Sequence, residues 1–344
     1  MVEETKGNLL EADVEALVNT VNTVGVMGKG VALQFKQAFP DNFRAYEAAC
    51  RRGDVKVGRM FVFHRSTFHN PKVIINFPTK RHWRGKSQVE YIDRGLRDLV
   101  RVIKAENIKS VALPPLGCGS GGLDWNEVRP RIESAFDQLP DVRALLYVPE
   151  VAPPADQMKV ATTAPKMTPG RAAVLLLMDK YLEPGYGLTL LEIQKLAYLL
   201  QESGEPLKLG FTKQQFGPYT ETLHHVLQRL EGHFIRGYGD RTQSVSISLL
   251  PGAAAEARSF LRGQRESEER FRRVEQLIEG LETPYGLELL TTVHWVAAHE
   301  NPVARRDWEA ALKTVHSWSE RKRLRFRPEH VKIAWTRLAD QGWM

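Results

Sequence analysis

Residues 7–30, GNLLEADVEALVNTVNTVGVMGKG, constrain this chain more than any other stretch. They open on a Gly-Asn-Leu turn and run on as VEALVNTVN, a short apolar segment ending in Asn19 and Asn22. They close on Gly25, Gly28 and Gly30, just before the helix-forming VALQFKQAF. In α/β folds, ligands sit at the carboxyl ends of buried strands, and glycines let backbone N–H groups approach an anion. A single glycine loop reads equally well as a tight turn between strand and helix. A second one shifts the balance: ALPPLGCGSGGLDW, residues 112–125, is again strand, glycine loop and helix start. Asp124 is placed as an N-cap there, with Glu127 three residues on. Two such loops in one domain suit a ligand with two phosphates.

The pattern around these loops alternates. Strands are expected near 14–19, 59–63, 72–77, 110–114 and 143–148, and helices near 29–38, 41–52, 88–106 and 125–138. Val89, Ile92, Leu96, Leu99, Val100 and Ile103 keep a helical period that buries one face. Alternation of this kind predicts an α/β class with a mixed sheet sandwiched between helices. A length of 344 residues makes two domains the default. Residues 149–169, PEVAPPADQMKVATTAPKMTP, lose all periodicity and read as a linker. The expected division is therefore a domain over 1–150, a linker over 151–170, and a mainly helical domain over 171–344. The helical reading rests on LTLLEIQKLAYLLQ, ARSFLRGQRESEERFRRVEQLIEGL, LELLTTVHWVAAH and a segment near 328–340. FTKQQFGPYTETLHHVL reads as a turn leading into a helix.

Four motifs now stand in order: Gly7-Asn8-Leu9, VEALVNTVN, GVMGKGVA and LGCGSGGL. Together they resemble the macrodomain superfamily, the ADP-ribose-binding modules, over about residues 1–150. That resemblance implies ADP-ribose contacts at Gly7, Asn8, Leu9, Asn19, Gly28, Lys29, Gly30 and Val31. It implies further contacts along the second loop at Leu116, Gly117, Cys118, Gly119, Ser120, Gly121, Gly122 and Leu123. The family pattern has an acidic residue where this chain has Asn8; an asparagine still accepts from the adenine amine, but more weakly. A further stretch, IINFPTKRHWRGKS at residues 74–87, puts Lys80 just after a strand. Within macrodomains it resembles the DarG branch, antitoxins that remove the ADP-ribose placed by DarT toxins on thymine in single-stranded DNA. The branch implies that Lys80 is catalytic and that Asn22 contacts the ribose beside the scissile bond. His82 and Trp83 are candidates for stacking on or bonding the base.

Cleavage at the anomeric carbon passes through an oxocarbenium-like state, which glycosidases commonly manage with two carboxylates. The matched loops supply no such pair, so Lys80 is the better candidate. Its pKa must fall for base or nucleophilic work, and Arg81, His82, Arg84 and Lys86 crowd the same segment. Attack on the anomeric carbon and a Schiff base on an opened ribose both remain open. Lys80 as a phosphate-contacting surface lysine, and Asn22 as a turn-stabilising amide, are the plainer readings. The chain-level alternatives are a hydrolase of protein- or ester-linked ADP-ribose and a reader that binds ADP-ribose without cleaving it. Lys80 beside the loops argues against the pure reader.

Net charge divides evenly. Residues 1–155 carry 22 basic against 18 acidic side chains, and the remainder 26 against 23. That permits contact with a phosphate backbone without demanding it. Two cysteines, Cys50 and Cys118, form neither a disulfide framework nor a zinc set, and fit a reducing compartment. Cys118 is read as a small loop residue rather than a nucleophile. His224, His225, His294 and His299 lack metal spacing and are read as core or surface residues. The run RKRLRFR, residues 321–327, is either a nucleic-acid contact or a solvated helix end. LEIQKLAYLL and FGPYTETL faintly resemble the Panacea domain of toxin–antitoxin modules, which implies a toxin-binding role; a generic helical domain is the alternative. No metal or cofactor is expected. The expected partners are ADP-ribose, ADP-ribosylated single-stranded DNA and a DarT-like toxin. With no signal pattern and no long apolar run, a cytoplasmic location is expected.

Overall fold

The computed structural model describes residues 2–149, 158–181, 187–239 and 246–344. They form two compact units, residues 1–163 with 239–242, and residues 164–238 with 243–344. Of the segment expected to link domains, residues 151–157 lie outside the described residues. Residues 158–168 carry no helix or strand, and Ala161 N–H donates to Gln37 O at 2.8 Å. Helix begins at Pro169, a position that proline's fixed φ favours, so Pro169 and Gly170 belong to the helical unit rather than the linker.

The first unit is built on one six-stranded sheet. In chain order its elements are β1 (Val2–Thr5), β2 (Ala16–Val21), α1 (Gly30–Ala38), α2 (Pro40–Arg51), β3 (Phe61–His64), β4 (Val73–Pro78), α3 (Val89–Ala105), β5 (Ser110–Leu113), α4 (Trp125–Phe136) and β6 (Arg143–Tyr147). The spatial order is β1-β6-β5-β2-β4-β3, parallel throughout except for the β3–β4 pair. β1, an exposed edge strand reading VEET, has no apolar run and escaped the sequence reading.

Side chains alternate across β2 and sort to the two faces of the sheet. Ala16 and Val18 join Ile75, Phe77 and Val111 beneath Ile92, Leu96 and Leu99 of α3 and Val128 and Ile132 of α4. Leu17 joins Ile74 and Ala112 under Phe35 of α1, while Val21 meets Tyr46 and Ala49 of α2. Both faces of the sheet are therefore covered, which parallel strands require.

The second unit is mainly helical around one core. It comprises α5 (Pro169–Tyr181), α6 (Leu190–Glu202), the hairpin β7 (Thr212–Gln214) and β8 (Gly217–Tyr219), α7 (Thr222–Leu230), and the short pair β9 (Ile235–Arg236) and β10 (Ser248–Leu249). Then come α8 (Ala253–Leu261), α9 (Arg265–Ile278), α10 (Pro284–Trp295), α11 (Trp308–Trp318), α12 (Glu320–Arg325) and α13 (Pro328–Asp340). A reciprocal capping box of Thr189 and Glu192 starts α6.

The basic run at 321–327 is not a free cationic strip. Lys322 is fully buried, and its Nζ donates to Glu288 Oε1 (3.0 Å) and Thr292 Oγ1 (3.0 Å). Arg321 makes two bonds to the same carboxylate, at 2.6 and 3.0 Å. Glu288 is itself buried, and these cations hold its carboxyl below the usual range against the opposing effect of burial. Arg321 and Lys322 thus anchor α10, while Arg323, Arg325 and Arg327 remain exposed.

Candidate active site

Three loops leave the carboxyl end of the sheet: residues 22–29 after β2, 79–88 after β4 and 114–124 after β5. β2 stays paired with β4 as far as Val21 and Pro78, but pairs with β5 only at Ala16 and Leu17. The sheet therefore opens between β2 and β5, and a glycine loop flanks each side of the opening. An open α/β sheet takes its ligand in a crevice of this kind.

Hydrogen bonds tie the three loops into one structure. Thr79 N–H donates to Val21 O at 3.0 Å, and Arg81 O accepts from Thr23 N–H (3.1 Å) and Thr23 O–H (2.7 Å). Ser87 N–H donates to Gly121 O at 3.0 Å. Lys80 stands between these ties. Its Nζ donates to Ser120 O in the second glycine loop at 3.1 Å and to Trp83 O at 3.2 Å. The strand-end lysine and the glycine loop, 40 residues apart in sequence, thus meet through one ammonium group.

Asn22 shapes the first loop. Its Oδ1 accepts from Val24 N–H (3.0 Å) and Val26 N–H (3.3 Å), and its Nδ2 donates to Val26 O at 2.6 Å. The buried Tyr46 hydroxyl donates to Asn22 O at 2.7 Å. Burial, and then Cys50, push the Tyr46 pKa well above the ordinary phenol value, so the hydroxyl remains a neutral donor. These bonds display the turn-holding role of Asn22.

In the second loop, Gly117 has φ +74, a left-handed value that favours glycine. Gly121 is required by space instead: a Cβ there would collide with Ser87 Oγ and Gly117 O. The left-handed positions of the two loops are Gly25, Gly30, Gly117 and Gly122, rather than Gly28 and Gly119. Cys118 Sγ lies 3.5 Å from Leu116 O as a packed thiol.

The remaining expected site residues divide by exposure. Gly7, Lys29, Ser120 and Gly122 are exposed, and Asn8, Gly28, Val31, Gly119 and Leu123 are half-buried. Asn8 Oδ1 accepts from Leu10 N–H at 3.1 Å and caps the short turn that buries Leu9 and Leu10. Leu116 packs into the core under the sheet. Asn19, 0% exposed, is turned inward as well, and donates to Asn76 Oδ1 at 3.0 Å. Asn76 donates in turn to Asn42 Oδ1 (2.7 Å) and Phe61 O (3.2 Å). Asn19 and Leu116 thus support the loops from beneath and do not line the crevice. The sequence reading missed Asn42 and Asn76; the one signal was an asparagine inside the apolar run VIINF.

His82 and Trp83 lie at the surface with ring centroids 5.3 Å apart, and Trp83 is 41% exposed. The Arg84 guanidinium covers the Trp83 ring at 4.5 Å, and that of Arg81 lies over Tyr91 at 5.8 Å. The rim formed by Lys29, Arg81, Arg84 and Lys86 is exposed and positive, which suits a phosphorylated ligand.

Among the described residues one group has metal-ligand types in reach, Glu202, His294 and His299 of the helical unit. His294 is spent otherwise: Nδ1 lies 2.7 Å from the Tyr198 hydroxyl, and the ring also bonds the Trp343 backbone. Burial, and then His299, lower its pKa to about 4, so it is a neutral core histidine. Among the described residues no helix is long and apolar enough to cross a membrane.

Comparison with known proteins agrees with this geometry. The Macro domain family matches residues 18–132. A protein of Thermus aquaticus named DNA ADP-ribosyl glycohydrolase is 51% identical over 342 residues, covering 99% of this chain and 94% of the relative. A DNA ADP-ribosyl transferase–DNA ADP-ribosyl glycohydrolase fusion protein of Thermosipho africanus is 35% identical over 159 residues, 42% of this chain and 41% of the fusion. Among solved structures, the macrodomain of Mycobacterium tuberculosis DarG is 61% identical, with a TM-score of 0.43, covering 44% of this chain and 99% of that one. The fold is therefore a macrodomain followed by a helical region, and the chain belongs to the DNA ADP-ribosyl glycohydrolase family.

Proposed function

We propose that this chain removes ADP-ribose from thymine bases of single-stranded DNA. The observation that carries the reading is Lys80 Nζ held against the second glycine loop, at the mouth of the crevice between β2 and β5. The two loops take the pyrophosphate on their backbone N–H groups. Lys80 meets the ribose at the scissile bond, and His82 and Trp83 meet the leaving base. The C–N bond between ribose and base breaks; water supplies the hydroxyl to the sugar and a proton to the base. A reader would need the loops but no lysine among them. The basic and aromatic rim suits a nucleobase with flanking phosphates better than an acidic protein side chain.

The helical unit, in this reading, binds the partner DarT-like transferase, so the chain neutralises the toxin as well as its product. A relative in which transferase and glycohydrolase share one polypeptide supports that pairing. Two cysteines in 344 residues, Cys50 and Cys118, make no disulfide framework, which suits a reducing cytoplasm.

The test offers the protein an oligonucleotide carrying ADP-ribosylated thymine and, side by side, a protein carrying ADP-ribosyl-glutamate. The oligonucleotide mass should return to that of unmodified DNA faster than the protein is processed; the reverse preference supports a protein hydrolase. The full chain carrying Lys80→Ala should still co-elute with the transferase and slow DNA modification. Failure of both removes the binding role.

A further inference from the structure

A second concave surface of about 560 Å³ lies on the α3 flank of the same unit. Lys56, Arg59, Arg94, Arg97 and Arg101 line it, with Asp98 as the single acid. Asp98 is spent: it accepts from Met60 N–H at 2.7 Å and from Arg101 Nε at 2.9 Å. All five cations are exposed, and among the described residues Lys56, Arg59, Arg94 and Arg97 have no carboxylate partner. Elsewhere on this unit Arg44, Arg51, Arg52, Arg129 and Arg143 each pair with an acid. A row of unneutralised like charges repels itself, and a polyanion removes that repulsion.

One wall of the groove starts at the same end of the sheet as the crevice. β3 begins at Phe61, opposite Asn76 near the carboxyl end of β4, so the 53–60 loop reaches the end of the sheet that carries Lys80. Arg81 lies over Tyr91 in the first turn of α3. From there Arg94, Arg97 and Arg101 follow on one face, about 4.5, 9 and 15 Å further along the helix axis. Gly58, with φ +78, lets Arg94 lie across it; a Cβ there would stand 2.9 Å from Arg94 Cβ and 3.0 Å from its Nε.

We infer that this groove is the track for the phosphate backbone of the strand flanking the modified base. The inference rests on the reading of the site as a DNA ADP-ribosyl glycohydrolase. The base stands at Trp83, the arginines of α3 take successive phosphates, and Lys56 and Arg59 form the opposite wall. A run of about 15 Å accommodates about four stacked nucleotides.

The test compares the full chain with its Arg94→Glu/Arg97→Glu variant on two substrates, a single ADP-ribosylated thymidine nucleotide and an oligonucleotide carrying the same modification. The oligonucleotide KM should rise at least about tenfold with kcat retained, and kinetics on the single nucleotide should stay within about twofold. Fluorescence anisotropy with unmodified single strands should show the salt slope of log K reduced by about 1.4, since each phosphate contact contributes about 0.7. An Arg94→Gln/Arg97→Gln variant carries the same test should the charge reversal fail to fold. An unchanged oligonucleotide KM, or an equal loss on both substrates, overturns the track. If the unaltered protein cleaves neither substrate, the glycohydrolase reading falls, and the anisotropy slope alone decides whether the groove binds a strand.

Discussion

Gly121→Ala tests whether the second loop works by close packing. The added methyl would collide with Gly117 O and Ser87 Oγ and lie 2.9 Å from Ser87 Cβ. One collision partner is backbone, so the loop must move by about 1 Å. Overpacking of this kind costs about 1–3 kcal/mol. The Ser87 N–H bond to Gly121 O, 3.0 Å long, is strained or lost at about 1 kcal/mol more. For a unit of this size a total of about 2–4 kcal/mol lowers Tm by roughly 5–15 °C. The same displacement carries Ser120 O away from Lys80, and a misplacement of about 1 Å costs about 10²-fold in rate. Gly53→Ala is the control, because Gly53 has φ +77 with nothing within 4 Å of its Cβ position. It should cost about 1–2 kcal/mol of backbone strain and leave activity alone. The assays are thermal melting and single-turnover release of ADP-ribose. A folded Gly121→Ala protein with unchanged Tm and rate would refute the packing argument.

Asn22→Ala removes three bonds to the 23–26 backbone, worth about 2–4 kcal/mol together, and should lower ADP-ribose affinity by calorimetry. Unchanged affinity in the folded variant would show that the loop holds its shape without that amide. Lys195, buried with Nζ donating to Pro218 O at 2.7 Å, has its pKa lowered from 10.5 to about 7, mainly by burial and then by Lys322. Between those two values the unfolded chain binds the extra proton, so the helical unit loses stability as pH falls from 10.5 towards 7. Lys195→Met should flatten that slope and raise stability at neutral pH; denaturation curves with the same pH dependence in both proteins contradict it.

The first unit was legible wherever a local rule sufficed. Apolar runs ending in asparagine or proline marked β2, β4 and β5, and the spacing of Ile92, Leu96 and Leu99 marked α3. Lys80 was legible as a residue just past a strand. What escaped depends on partners distant in the chain. Asn19 reads as a ligand amide until Asn76, 57 residues on, is found against it. The three bonds that Asn22 makes to the 23–26 backbone appear only once that loop is folded. Arg321 and Lys322 read as part of a nucleic-acid contact or a solvated helix end because Glu288, 34 residues before Lys322, gives no local sign of being buried against them. The 56–101 groove combines two segments about 40 residues apart, and neither is strongly basic alone.

The central claim is that Lys80 acts on the bond while the glycine loops hold the ligand. Single-turnover release of ADP-ribose from a modified oligonucleotide by Lys80→Ala, measured with ADP-ribose affinity on the same preparation, tests it most directly. The prediction is a rate lower by at least about 10²-fold with affinity kept within a few fold. A variant that releases ADP-ribose at the unaltered rate contradicts the assignment.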